Sequence, residues 1–126
     1  ITKAAKEVGE QIGAKFLTAF TQSGDSARRM SRLRSAIPII AITPEETTYR
    51  QLALSWGVEP EIAPLVQTTD EMVKQVDTIL IENKFAHEGE LVMIVAGSPP
   101  GIQGSTNAMR VHLVGDAVGG KAPAYR

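Results

Sequence analysis

The chain has 126 residues, 43% of them hydrophobic, and 13 lysines and arginines against 14 aspartates and glutamates leave a formal net charge of −1. That length builds one core rather than two domains, and the near-neutral balance supplies no global field to recruit nucleic acid or an anionic membrane. The absence of cysteine excludes disulfide frameworks and thiolate metal sites, and His87 and His112 are too few and too far apart in the chain to suggest a metal cluster. No apolar run approaches the roughly 20 residues of a membrane span, and no signal peptide opens the chain, so a cytoplasmic protein is expected. A first residue of isoleucine reads either as loss of an initiator or as a piece of something longer.

Taken in order, residues 2–13 space Ala5, Val8 and Ile12 as one face of a helix, with Ala4 and Gly9 on its flank. Lys15 to Phe20 reads as a buried strand, and Asp25–Leu33 as a helix. Ile37-Pro38-Ile39-Ile40-Ala41-Ile42 is a continuous apolar run, as in a strand covered on both faces. Thr43-Pro44-Glu45-Glu46 combines a cap hydroxyl, a proline and acidic residues, which predicts a helix from there to about Ser55, ended by Gly57. Val58–Leu65 contains a short strand, Thr69–Phe85 a long helix with Met72, Val73, Val76, Ile79 and Leu80 inward, and Leu91–Ala96 the clearest strand. Arg110–Val114 makes a last strand. The alternation predicts a three-layer α/β/α domain over residues 1–115 with a mostly parallel five-stranded sheet. The last strand follows a loop too short for a crossover helix, so it is expected antiparallel at an edge. Residues 116–126 read as a flexible tail.

Thr21, Gln22, Ser23, Gly24, Asp25 and Ser26 connect the first strand to the second helix. A glycine lets the backbone come close to a ligand, the helix start directs N–H groups and partial positive charge at one point, and the hydroxyls of Thr21, Ser23 and Ser26 can bond phosphate oxygens. Against that, Ser, Asp and Gly are what any helix start requires, and the Asp25 carboxylate repels phosphate unless a cation such as Arg28 or Arg29 intervenes. Open α/β sheets bind ligands outside the carboxyl ends of their strands, where this loop and the stretch Gly97–Thr106 both fall. Both readings of the loop stay open at this point. The stretch 97–106 carries three glycines and the pair Pro99-Pro100, the makings of a lid or of a plain surface connection.

Four motifs occur in the order found in the C-terminal domain of pyruvate kinases: Thr21-x-Ser23-Gly24-x-Ser26, Pro38-Ile39-Ile40-Ala41-Ile42-Thr43, Trp56-Gly57-Val58, and Gly104-x-Thr106-Asn107-x-x-Arg110-Val111. The chain resembles that domain from about residue 1 to residue 115, with wording nearest to actinobacterial forms. The resemblance implies a regulatory and oligomerisation domain without catalytic residues of its own. Phosphoryl transfer between phosphoenolpyruvate and ADP, in glycolysis, would lie in a separate barrel domain with its magnesium and potassium, and no cofactor is implied here. It further implies an effector phosphate held at Thr21–Ser26 and a loop, Ser98, Pro99, Pro100, Gly101, Gln103, Gly104, Ser105 and Thr106, that closes over the ligand. Gln22 replaces a lysine common in fructose-bisphosphate-activated forms. The tryptophan and arginine that hold a second phosphate there match Leu65 and Met72. Without that second clamp a monophosphate such as glucose 6-phosphate is favoured over fructose 1,6-bisphosphate, with AMP a further candidate. Arg110, Val111, His112, Leu113 and Val114 match a strand that pairs with its two-fold mate, in an enzyme that is a tetramer.

Other readings remain beside these. The same loop could serve a free-standing α/β enzyme acting on a phosphorylated metabolite, or a structural domain whose pocket has degenerated. Trp56 reads as a packing residue. His112 reads as solvent-facing, though at an interface it would tune pairing near neutral pH. The run Arg28, Arg29, Arg32 and Arg34 lacks interleaved aromatics and fits a subunit or domain boundary better than nucleic acid.

Overall fold

A computed structural model describes residues 1–97 and 106–116. Its elements are α1 (Thr2–Ile12), β1 (Leu17–Phe20), α2 (Asp25–Arg32), β2 (Ile39–Thr43), α3 (Glu46–Leu52), β3 (Val58–Ile62), α4 (Thr69–Glu82), β4 (Leu91–Gly97) and β5 (Thr106–Leu113). The strands form one sheet in the order β3-β2-β1-β4-β5. β1 runs parallel to β2 and β4, and β2 parallel to β3, while β5 is antiparallel to β4 at the edge. The predicted architecture is therefore the observed one.

The period of the strands sorts the core into two faces. Ile40, Ile42, Val92, Ile94 and Ala96 point to one side, where Met72, Val76 and Leu80 of α4 cover them. Leu17, Ala19, Ile39, Met93 and Val95 point to the other, against Ala5 of α1 and Met30 of α2. Ala27, Ala41 and Leu52 extend that second layer to α3. Gly9 belongs to this packing rather than to the flank of its helix. A Cβ there would come within 3.1 Å of Leu17 and 3.2 Å of Met93, so the missing side chain lets α1 approach the sheet closely.

Several boundaries differ from expectation for identifiable reasons. Pro38 has no N–H, and it joins the sheet only through its carbonyl, which accepts from the Leu17 amide at 3.0 Å; β2 proper begins at Ile39. Thr43 is not the cap of α3 but the last residue of β2, and its Oγ1 accepts from the Glu45 amide at 3.1 Å. Glu45, in extended conformation, takes the cap position, and the helix ends at Leu52 rather than Ser55. α4 starts from Thr68, whose hydroxyl caps the helix by accepting from the Glu71 amide and also donates to the Glu71 carboxylate. It stops at Glu82 because Asn83 Nδ2 donates to the Ile79 carbonyl and Lys84 turns to positive φ. Phe85 then folds back edge-on to Phe16, with ring centroids 5.9 Å apart. β5 starts at Thr106, ahead of the predicted Arg110, and ends at Leu113. No helix among the described residues is long and apolar enough to cross a membrane.

Candidate functional site

Because β1 to β4 are parallel, their carboxyl ends share one edge of the sheet, and the segment 21–26 leaves β1 there. The Thr21 amide still belongs to the sheet, donating to the Ile42 carbonyl at 3.0 Å. The chain then turns into α2 through Gly24, which caps the helix at φ 93°, a left-handed conformation that favours glycine. Thr21 Oγ1 accepts from the Gly24 amide at 2.8 Å, and Ser23 Oγ from the Asp25 amide at 3.3 Å. Two hydroxyls expected to face an anion are thus turned onto the loop's own donors. Ser26 is buried and Asp25 is exposed.

Arg28, one turn into α2, folds back over the loop. Its Nη1 donates to the Ser23 carbonyl at 2.9 Å and lies 3.4 Å from Asp25 Oδ1. Its Nη2 donates to Gln51 Oε1 on α3 at 2.9 Å. The cation expected to offset the Asp25 charge is therefore Arg28, although an exposed pair of this kind adds little stability. The guanidinium sits where a side chain on residue 24 would go, 2.9 Å from the position of an added Cβ. Thr48 Oγ1, also on α3, donates to the Gln22 carbonyl at 2.7 Å. Thr48 and Gln51, which sequence reasoning missed, hold the loop from outside. The available signal was a threonine on the buried stripe of α3, four residues before Leu52.

The other expected site residues divide. Ser98, Pro99, Pro100, Gly101, Gln103, Gly104 and Ser105 lie outside the described residues, as does the tail from 117, and Thr106 opens β5. On β5, Val111 and Leu113 are partly exposed and His112 is buried, as is Val114 just beyond the strand. His112 is not solvent-facing: its Nε2 lies 2.5 Å from Asp77 Oδ1 on α4, and both side chains are fully covered. Leu65 is exposed, while Met72 is in the core beneath the sheet, so neither position offers a cation. Trp56 is half exposed under the Arg34 guanidinium, 4.7 Å from its ring centre, and its carbonyl accepts from Ser31 Oγ at 2.6 Å. No group of three or more acidic or histidine side chains among the described residues could hold a metal ion. The carboxyls of Glu61 and Glu90, both outside the loop, depart from their usual range. Desolvation, then the charge of Glu59, pushes Glu61 on β3 up. Glu90, before β4, is held down, chiefly by the His87 amide that it accepts, with Lys15 adding to the effect.

Comparison with known proteins bears on the fold and the family. The family model of the pyruvate kinase alpha/beta domain matches residues 1–112. A pyruvate kinase of Mycobacterium tuberculosis is 48% identical over 116 residues, 92% of this chain and 25% of its own length. That of Corynebacterium glutamicum is 42% identical over the same share of this chain and 24% of its own. The solved structure of a Cryptosporidium parvum pyruvate kinase superposes with a TM-score of 0.79, at 22% identity, over 90% of this chain and 22% of that one. The chain thus spans about a quarter of the length of these actinobacterial relatives, and it belongs to the pyruvate kinase alpha/beta domain family.

Proposed function

We propose that the chain is the regulatory and oligomerisation domain of a cytoplasmic pyruvate kinase, and that it binds a phosphorylated effector at residues 21–26. The parent reaction, from phosphoenolpyruvate and ADP to pyruvate and ATP, would proceed in a barrel domain that also carries the magnesium and potassium. The observation that carries the effector reading is Gly24, whose left-handed cap brings the loop backbone to the start of α2 at the carboxyl edge of the sheet, braced by Arg28 and Thr48. An arriving phosphate takes over the amides of Gly24 and Asp25, and the Thr21 and Ser23 hydroxyls turn to donate to it. Asp25 is offset by Arg28. With Leu65 and Met72 apolar, one phosphate is held and a second has no matching clamp, which favours a sugar monophosphate such as glucose 6-phosphate.

The half-exposed row Met109, Val111 and Leu113 on the edge strand supports the second part of the role, contact with an identical subunit along β5 and assembly of a tetramer. A second reading, a domain whose effector pocket is lost, draws on the internal use of the Thr21 and Ser23 hydroxyls. Thermal unfolding against glucose 6-phosphate, fructose 1,6-bisphosphate, AMP and inorganic phosphate at matched ionic strength separates the two. At about 100 times its dissociation constant a ligand adds about 2.7 kcal/mol. A shift with the sugar monophosphate that Ser23→Ala abolishes is expected. No shift with any of the four leaves only the structural role.

A further inference from the structure

The edge strand β5 carries its large apolar residues on the exposed face. Met109, Val111 and Leu113 stand opposite Val95, Met93 and Leu91, on the α1 side of the sheet, where they are 39%, 43% and 36% exposed. Ala108, Arg110 and His112 stand opposite Ala96, Ile94 and Val92, on the α4 side, where His112 is fully buried. A slip of one residue sends every side chain of a strand to the other face, so it would bury Met109, Val111 and Leu113 and, just beyond the strand, turn out Val114, which is 1% exposed. Three large apolar side chains gained against one lost favour the reverse setting on apolar burial alone.

A route for that slip is built into the strand. Ala96 pairs with Ala108 but Gly97 pairs with Thr106, so β5 carries one extra residue, Asn107, in a bulge. If Thr106 stayed opposite Gly97 and the bulge closed, Asn107 would face Ala96 and Leu113 would face Glu90. The apolar row would then turn toward α4 and His112 away from it. The obstacle is the bond between His112 Nε2 and Asp77 Oδ1, 2.5 Å long and without exposed surface on either side chain. After a slip the Asp77 carboxylate would stay in the interior without the imidazole, a buried charge stripped of that partner. At the far end the Val114 amide donates to the Glu90 carbonyl at 2.8 Å and the Gly89 amide to the Val114 carbonyl at 3.0 Å. Those backbone bonds suit the observed register, but they are not specific to any side chain.

We propose that Asp77 and His112 are the register pin of β5, holding the strand in the bulged setting that keeps Met109, Val111 and Leu113 on the outside. The pin therefore specifies one of two strand settings rather than supplying net stability, a role for which buried polar pairs are suited. The assignment holds whether or not β5 meets a second subunit.

The test uses the absence of cysteine in the chain. Leu91→Cys with Leu113→Cys places two thiols on paired positions of one face, and oxidation links them only in the observed register. Asp77→Asn, which still accepts from the imidazole, keeps the rate of linkage. Asp77→Val with His112→Leu, which removes both polar groups, folds cooperatively but links about tenfold more slowly, the ratio expected when one buried hydrogen bond no longer separates two settings. Deleting Asn107 in that apolar background restores linkage, because the unbulged strand then has the original pairing. Undiminished linkage in the apolar variant, or no restoration by the deletion, overturns the proposal. If neither this variant nor the smaller Asp77→Ala/His112→Val folds, the pair supports the fold itself and the proposal also fails.

Discussion

Gly24→Ala perturbs the loop at its most constrained point. At φ 93° an alanine strains the backbone by about 1–2 kcal/mol. Its Cβ also lies 2.9 Å from Arg28 Nη1 and 3.0 Å from Cζ, so the guanidinium moves off the Ser23 carbonyl and Gln51. Both of those bonds are partly solvated, and losing them adds about 1 kcal/mol, while the stiffer unfolded chain offsets about 0.5 kcal/mol of the loss by favouring the folded state. The net expectation is a loss of about 2 kcal/mol, roughly 7 °C in melting temperature for a chain of this length. Urea unfolding of Gly24→Ala, Arg28→Ala and the double variant separates strain from contact. The double variant should be less destabilised than the sum of the singles by about 1 kcal/mol, since without the guanidinium only backbone strain remains. Additive losses would mean that Arg28 does not occupy the space over Gly24, and the account of a braced loop would be refuted.

Four further outcomes are expected. Thr48→Val keeps shape but removes the bond to the Gln22 carbonyl, and it should cost about 1 kcal/mol in urea unfolding and weaken any phosphate-dependent stabilisation. Glu90 has a folded-state pKa below its unfolded one, so its contribution is complete above the unfolded value near 4.5 and is lost as pH falls through the folded value; Glu90→Gln should flatten the acid limb of a stability profile. Glu61 has the opposite sign, its folded pKa being raised, so its carboxylate lowers stability as pH rises from the unfolded value through the folded one, and Glu61→Gln should remove that decline and leave the neutral protein no less stable. Val111→Lys puts a charge into the exposed apolar row and should weaken self-association by about tenfold or more in sedimentation, whereas an unchanged dissociation constant would remove β5 from the subunit contact.

What the sequence made legible was whatever local pattern decides. The continuous apolar run Ile39–Ile42 marks a strand covered on both faces, the helical spacing of α4's inward row marks its buried face, and alternation with helices then implies the parallel sheet. Thr43 and Pro44 show the limit: they read as the cap and first residue of a helix, but pairing with β3 carries the strand through Thr43 and moves the helix start to Glu46. His112 was beyond local reading for a different reason. Its partner Asp77 is 35 residues away, and neither residue's neighbours announce that both are buried. In the loop, the glycine and hydroxyls were evident, but the bracing from Thr48 and Gln51 is tertiary and leaves only a faint mark on the buried stripe of α3.

The central claim is that residues 21–26 receive a phosphate. Residue-resolved amide chemical shifts of the chain during titration with glucose 6-phosphate test it most directly. The account predicts saturable shifts centred on the amides of Gly24, Asp25 and Ser26, reproduced in part by inorganic phosphate and lost in Gly24→Ala. Saturable shifts centred elsewhere, with those three amides unmoved, would contradict it.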